Sequence, residues 1–528
     1  MAQGDLCAFI EERVPALENA AAALYDFAAD LREMKNAAAR VSRIPSEILA
    51  RVFPHFVCTQ YTDRDLITVT HVCRRWRSIA LDDSDLWSHI VVVNLDKAAT
   101  FIERSRNRPL DVLIVNPKTA PAFARMLRPV AGRLRNLAVN FPVMSDNILD
   151  IVAAFERLSV PRLKSFQCVA GERVLPISED VEDLLYTGAE MFKTAEADDP
   201  FDTSALRRLR LHGICIPWEV DIYKNLTELE LGVPDMVPCS EQRILEILKA
   251  CPDLEVFRLD LSRLSEPIVP RDDPVWDVTL PHLTTLTLTY LPPHTIADLL
   301  SHLILPHTTL YTFRTMRAGG RFNLVTNNIL PEPDLRRLPR LSTLGHFKFI
   351  LDSAANIYSV EAYPHFGSMS GFDFSPALVL ALAIDEADQA AGLDMLDLSQ
   401  AHSLVISGVA GAQRYGAVWA DVLGPAKELR SLGLASLTEH NLQDALVTLG
   451  RPRTGQADGP LCPTLKELAL GEVAFTPKVK KAISASLKSR RKMGLTLERL
   501  RLQSLDDAEG KWVQSLQALG IKVIVGMA

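Results

Sequence analysis

At 528 residues, with 48% hydrophobic side chains, the chain is long enough to bury a large core and to divide into more than one structural unit. A formal net charge of −8 argues against a nucleic-acid footprint spread over the whole chain. Eight cysteines without a C-x-x-C pair fit a reducing compartment, cytoplasmic or nuclear. The start Met1-Ala2-Gln3-Gly4-Asp5 has neither the basic nor the apolar region of a secretory signal. The longest apolar run, Ala377 to Ile384, is too short to span a bilayer.

The first element is a helix expected from about Pro15 to Val41. Leu17, Leu24, Leu31 and Ala38 recur every seven residues, and Ala20, Phe27, Met34 and Val41 repeat the spacing three positions later. This is an a/d heptad seam. It either folds back onto the rest of the chain, the arrangement its alanine content slightly favours, or pairs two copies as a homodimer through residues 17–41.

Next comes Ile44-Pro45-Ser46-Glu47-Ile48-Leu49, then Asp65-Leu66, then Val72-Cys73-Arg74-Arg75-Trp76-Arg77, then Leu86-Trp87. Pro45 suits a helix start, where its missing N–H costs nothing. Ile48, Leu49, Val52 and Phe53 fall on one helical stripe. Thr62 and Asp65 have capping-box spacing, so a second helix is expected from about Asp63. Its apolar positions Leu66, Val69, Cys73, Trp76 and Ala80 form one continuous face, with Arg74, Arg75 and Arg77 on the other side. A helical module of this size carries more large apolar residues than it can bury alone, and needs something to cover the remainder.

The same residues resemble an F-box, the segment by which substrate receptors of cullin–RING ubiquitin ligases dock on a Skp-family adaptor. Ile44 stands where that family usually has Leu, and the stretch from Pro54 to Thr62 is longer than in many F-boxes. The resemblance implies adaptor contact, direct or supporting, through Ile44, Pro45, Ile48, Leu49, Leu66, Val69, Val72 and Trp76, and through the adaptor a cullin.

Beyond residue 92 the form L-x-x-L-x-L recurs from Leu206, Leu226, Leu283, Leu429, Leu465 and Leu497, with related runs from Leu134 to Val139 and from Leu254 to Leu261. The starts at 226, 254 and 283 lie 28 and 29 residues apart, near the leucine-rich-repeat period. Helix-compatible stretches such as Glu241 to Cys251 and Ile296 to Leu303 lie between them. The expected fold class is α/β. An N-terminal heptad helix (1–41) and a three-helix F-box (42–92) precede an irregular leucine-rich-repeat solenoid (93–528) with one strand and one helix per repeat. Side chains alternate across a strand, so the residues between the leucines face outward. Arg208, Arg210, Glu228, Glu230, Arg258, Asp260, Thr287, Arg499, Arg501 and Gln503 are the candidate residues for binding a protein substrate.

Two charge runs stand out. Residues 178–202 are acidic, and Lys478, Lys480, Lys481, Lys488, Arg490, Arg491 and Lys492 form a basic cluster; both are expected to be solvated surface. The period blurs over 306–425. Motifs for catalysis are incomplete. Gly450 to Gly455 has phosphate-loop glycine spacing but is followed by Gln456-Ala457 instead of Lys and Ser/Thr, and Gly367-Ser368-Met369-Ser370-Gly371 places Met where a nucleophile belongs. His71 and Cys73 point about 200° apart around a helix and cannot converge on a metal with His55 and Cys58. No enzyme activity, cofactor, metal, nucleic acid or membrane is therefore expected. By its resemblance to F-box proteins with leucine-rich repeats, of a kind abundant in fungi, the chain is expected to be the substrate receptor of an SCF-type ubiquitin ligase. The alternative is an interaction scaffold with no role in ubiquitylation.

Overall fold

The computed structural model describes residues 3–57, 64–115, 119–141, 159–170, 204–212, 221–232, 240–261, 276–291, 293–315, 344–352, 357–364, 378–383, 398–408, 418–451, 460–503 and 510–526. They belong to two compact units, Met1–Leu206 and Arg207–Ala528. Both are mixed α/β with parallel sheets. The boundary between them falls inside the stretch expected to form a single solenoid. Thr62, the acidic run at 178–202, the segment Gly367 to Gly371 and Gln456-Ala457 lie outside the described residues.

The first unit opens with α1 (Gln3–Ala38), which begins well before Pro15 and carries that proline in its interior. A 3₁₀ turn, Arg40–Arg43, follows. The heptad residues Leu17, Leu24, Phe27, Leu31, Met34 and Val41 are all exposed, so the seam does not fold back as expected. Three short helices come next: α2 (Ser46–Val57), α3 (Arg64–Val72) and α4 (Arg74–Asp82).

The expected single second helix is two, broken at Cys73. There the backbone is extended, and Sγ accepts the Trp76 N–H at 3.5 Å, so the cysteine caps α4 instead of lying on a buried helical face. Arg77 Nε meanwhile donates to the carbonyl of Thr70 at 2.8 Å, satisfying an acceptor that the end of α3 leaves open.

The chain then enters a parallel sheet in sequence order: β1 (His89–Val92), β2 (Leu110–Ile114), β3 (Leu134–Phe141) and β4 (Ser165–Ala170). α5 (Leu95–Arg104) and α6 (Ala120–Leu127) lie between strands in the sequence. α5 is capped by Asn94, whose side chain accepts from the N–H groups of Asp96 and Lys97.

In the second unit β5 (Arg208–His212), β6 (Glu228–Gly232), β7 (Val256–Asp260), β9 (Thr285–Leu291) and β11 (Leu310–Thr315) pair successively and in parallel. A minor parallel pair, β8 (Val278–Thr279) and β10 (Leu303–Ile304), stands apart. β15 (Ser403–Gly408), β16 (Ser431–Ala435), β17 (Glu467–Gly471), β18 (Arg499–Gln503) and β19 (Lys522–Gly526) repeat the parallel pattern.

Leucine spacing dictates this arrangement. Leu209 and Leu211 lie in register with Leu229 and Leu231, then with Phe257 and Leu259, then with Leu286 and Leu288, and all are buried. Burying each such side chain is worth about 1.5–3 kcal/mol, which makes the ladder the main support of the sheet. Leu226, Leu254 and Leu283, which open the motifs, are buried ahead of each strand. Backbone bonds carry the chain from one turn to the next. The Arg207 carbonyl accepts from Thr227 and Glu228, the Thr227 carbonyl from Glu255 and Val256, and the Glu255 carbonyl from Thr284 and Thr285.

The blurred period has a topological cause. β12 (Leu344–Asp352), β13 (Ile357–Pro364) and β14 (Leu378–Ala383) interrupt the order: β11 pairs with β14, and β12 with β15. β13 runs antiparallel between β12 and β14, so one reversed strand sits in a parallel sheet.

Helices α7 (Glu241–Lys249), α8 (Pro293–Ser301), α9 (Val418–Leu423), α10 (Glu439–Leu449), α11 (Pro477–Lys492) and α12 (Gly510–Gln517) complete the unit. α11 corrects one expectation. Arg490, grouped with the solvated basic cluster, is buried, and its guanidinium donates to the carbonyls of Leu461 (2.9 Å), Cys462 (2.8 Å) and Leu449 (3.3 Å). Burial lowers its pKa, and the carbonyl acceptors replace the water it has lost. Arg490→Met should strand these carbonyls and cost roughly 2 kcal/mol or more, read as a fall in the thermal unfolding midpoint that Arg490→Lys partly restores.

Candidate functional site

The three-helix module between the 3₁₀ turn and β1 has apolar residues on its outside as well as its inside. On α2, Leu49 and Phe53 are each 2% exposed, whereas Ile48 and Val52 are 46% and 48% exposed. The single stripe expected of these four is thus two adjacent i, i+4 pairs, one facing in and one facing out. α3 repeats the division, with Leu66 and Val69 buried and Ile67 and Val72 exposed. Pro45 is exposed, and Ile44 and Trp76 are half-buried. Among the residues expected at an adaptor contact, then, Pro45, Ile48 and Val72 face outward, while Leu49, Leu66 and Val69 hold the module together from inside.

The Val72–Arg77 segment fixes the geometry of this outer face. The Trp76 ring packs on Phe53 with centroids 5.1 Å apart, joining α4 to α2. Arg75 donates to the carbonyls of Ser42 and Ile44 and, at 3.2 Å, to Ser46 Oγ, pinning the chain where α2 begins. Arg74 reaches α1 through Glu33 at 2.6 Å. These three arginines were expected only as a polar side; two of them instead set where α2 and α3 begin and end. The exposed pair Val52 and Ile67 was missed as surface, although four apolar residues in adjacent i, i+4 pairs on α2 already cover more than one helix face.

Residues 41–92 match the model of the F-box-like family. The chain carries an F-box-like domain. No curated protein matches the sequence. F-box domains bind Skp-family adaptors.

The far end of the F-box-like domain is welded to the sheet that follows it. Trp87 is buried; its Nε1 donates to the Ala80 carbonyl at 2.7 Å, its ring lies 4.9 Å from that of Phe101, and Arg104 stacks over it at 4.4 Å. Next to it, His89 Nε2 lies 3.1 Å from Asp111 Oδ2, and Arg135 and Asn136 bond to the same carboxylate. Ser88 Oγ is 3.3 Å from His89 Nδ1, so serine, histidine and aspartate stand in the order of a hydrolytic triad. The chemistry does not follow the order. Ser88 is buried and its hydroxyl donates to the Asp85 carbonyl at 2.7 Å, while the aspartate is engaged by Arg135. Among the described residues no group of three His, Cys, Asp or Glu side chains could hold a metal ion, and no helix is long and apolar enough to cross a membrane.

The ten strand residues proposed from the sequence lie on two parts of one sheet in the second unit. Arg208, Arg210, Glu228 and Arg258 are exposed, and Glu230, Asp260 and Thr287 are half-buried. Glu230 gathers its neighbours, with Arg210 at 3.3 Å, His212 at 3.0 Å and Arg258 at 3.4 Å. Burial opposes its charge, but His212 and the two arginines outweigh that and lower its pKa. Gly232 leaves room for this arrangement, since a Cβ there would come within 2.4 Å of His212 Nδ1. On β18, Arg499, Arg501 and Gln503 are exposed, and both arginines pair with Glu467, a residue sequence reasoning did not single out.

The His89–Asp111 contact carries a pH signature. The hydrogen bond to Asp111 raises the pKa of His89 above 6.5. Burial works against the Asp111 carboxylate, but bonds from His89 and Arg135 hold it down at about 2. The stabilisation from His89 is fully present below pH 6.5 and is lost as pH rises through its raised pKa. His89→Ala should therefore lower the unfolding midpoint at pH 5.5 and leave it nearly unchanged at pH 8.5. The cost at pH 5.5 should not exceed about 1 kcal/mol, because the imidazole is half exposed.

Proposed function

We propose that this protein is the substrate receptor of an SCF-type cullin–RING ubiquitin ligase. It docks on a Skp-family adaptor through the outer face of its F-box-like domain and holds a protein substrate on the second unit. The observation that carries this reading is the exposure of Pro45, Ile48, Val52, Ile67 and Val72 on a module whose interior is already filled. An exposed apolar surface built on short, pinned helices fits a macromolecular partner. A contact of standard size, about 1,200–2,000 Å² in total, would cover it.

The second unit is read as an irregular leucine-rich-repeat solenoid. Its parallel strands, each preceded by a buried leucine, and the backbone bonds linking successive turns support that reading. The outward residues Arg208, Arg210, Glu228, Arg258, Arg499, Arg501 and Gln503 suit a polar protein partner. The receptor itself performs no chemistry. It raises the effective concentration of a substrate lysine near a charged conjugating enzyme held elsewhere on the assembly, in the cytoplasm or nucleus.

The test uses Ile48→Asp with Val52→Asp, because both side chains are exposed and the fold does not rest on them. The parent should co-purify with a Skp-family adaptor and, through it, a cullin. The variant should keep its circular dichroism spectrum and melting temperature but bind at least about 30-fold more weakly, the loss of a hot spot worth 2 kcal/mol or more. Adaptor binding without cullin, or without ubiquitylation of any bound protein, would favour the scaffold reading. No adaptor on the parent would overturn the ligase reading and leave an interaction scaffold for another partner.

A further inference from the structure

We propose that α1 forms a parallel, in-register two-stranded coiled coil with α1 of a second copy of this chain. The helix that carries the seam is longer than the sequence alone suggested. Leu17, Leu24, Leu31 and Ala38 occupy four successive a positions, with Ala20, Phe27 and Met34 at d, on a helix of 36 residues, about 54 Å; one heptad earlier Ile10 holds a but Arg13 holds d, so the apolar seam starts at Leu17. These side chains stand in solvent, with Leu17 and Leu24 each 69% exposed and Met34 70%. A strict seven-residue repeat keeps an apolar seam facing a like helix as the two supercoil, a property that a helix lying on a globular surface does not need.

The flanking positions choose the orientation. From residue 16 to residue 37 the g positions are Ala16, Ala23, Asp30 and Ala37, and the e positions are Ala21, Ala28 and Lys35. The only charged pair is Asp30 at g and Lys35 at the following e. Five residues apart, they meet across a parallel dimer, twice by symmetry. An antiparallel pair would set g against g and e against e, and would bring neither aspartate to a lysine.

The helix remains free to do this while attached to its own F-box-like domain. Its contact with α4 runs through Glu33 and, at 3.7 Å, Asp30, both bonded to Arg74. Glu33 lies about a third of a turn around the helix from the seam, whereas Asp30, at g, borders it and would exchange its longer Arg74 contact for Lys35 of the second copy. A parallel coil brings both α1 C-termini to the same end. Two copies of the F-box-like domain then leave the coil side by side, and the assembly presents two docking modules. This inference is independent of what the modules bind, since its test needs no adaptor.

Light scattering on the full chain should give a mass rising with concentration towards twice 58.5 kDa. Leu24→Glu with Leu31→Glu, both at exposed positions, should hold the mass at one copy with the melting temperature unchanged. Asp30→Lys should weaken the dimer several-fold, and Lys35→Asp added to it should restore the parent behaviour. The added change cannot repair the Arg74 contact, so the rescue reads the coil alone. A parent that stays monomeric, or a glutamate variant that still dimerises, overturns the proposal, and a failed rescue overturns the parallel register. Protection of the seam by added adaptor, while the chain stays monomeric, would assign the helix to that partner and equally overturn it.

Discussion

The F-box-like domain is governed by a shortage of interior. Three helices of 12, 9 and 9 residues enclose room for Leu49, Phe53, Leu66, Val69 and Ala80, and Ile48, Val52, Ile67 and Val72 are left outside. Burying Ile48 or Val52 within the module would require turning α2, which would expose Leu49 and Phe53 in exchange. The module can be stable and still keep an apolar surface only because other contacts hold its helices in place. Trp76 against Phe53, Arg75 on the carbonyls of Ser42 and Ile44, and Trp87 on the Ala80 carbonyl do this. A neutral apolar surface held rigid loses little conformational entropy when a partner covers it.

The second unit separates its interior from its outward face in another way. Leucines on one side of each strand make the sheet, and backbone bonds between turns fix its register, so the outward positions bear less on stability than the leucines do. They carry arginine, glutamate and threonine in place of a single chemical type. Where charges cluster they neutralise one another, as Glu230 does with Arg210, His212 and Arg258, and Glu467 with Arg499 and Arg501. A partner would have to compete for these pairs, which favours one bearing charges of both signs.

Much of this was legible in the sequence because the signals are local and periodic. L-x-x-L-x-L fixes which face of a strand is buried, and Pro45, Cys73 and Trp76 mark the small helical module. What was not legible depends on non-local partners. The break at Cys73 follows from an extended backbone and the bond between Arg77 and Thr70, while the heptad of Cys73, Trp76 and Ala80 suggests a continuous helix. Arg490 reads as one more cation in a basic run until the carbonyls of Leu449, Leu461 and Cys462 are seen around it. The reversed strand β13 has no sequence mark, because alternation looks the same in both directions. In the candidate site the helical spacing of the apolar residues could be read, but their inward or outward direction on α2 and α3 needed the packing of α4.

The central claim is that the outer face of α2 and α3 is a docking surface whose interior side is already complete. Hydrogen exchange of the full chain with and without a Skp-family adaptor tests it most directly. The account predicts added protection over residues 44–57 and 64–72, with little change in the strands of the second unit. Adaptor binding that leaves these two segments unprotected and protects residues elsewhere would contradict it.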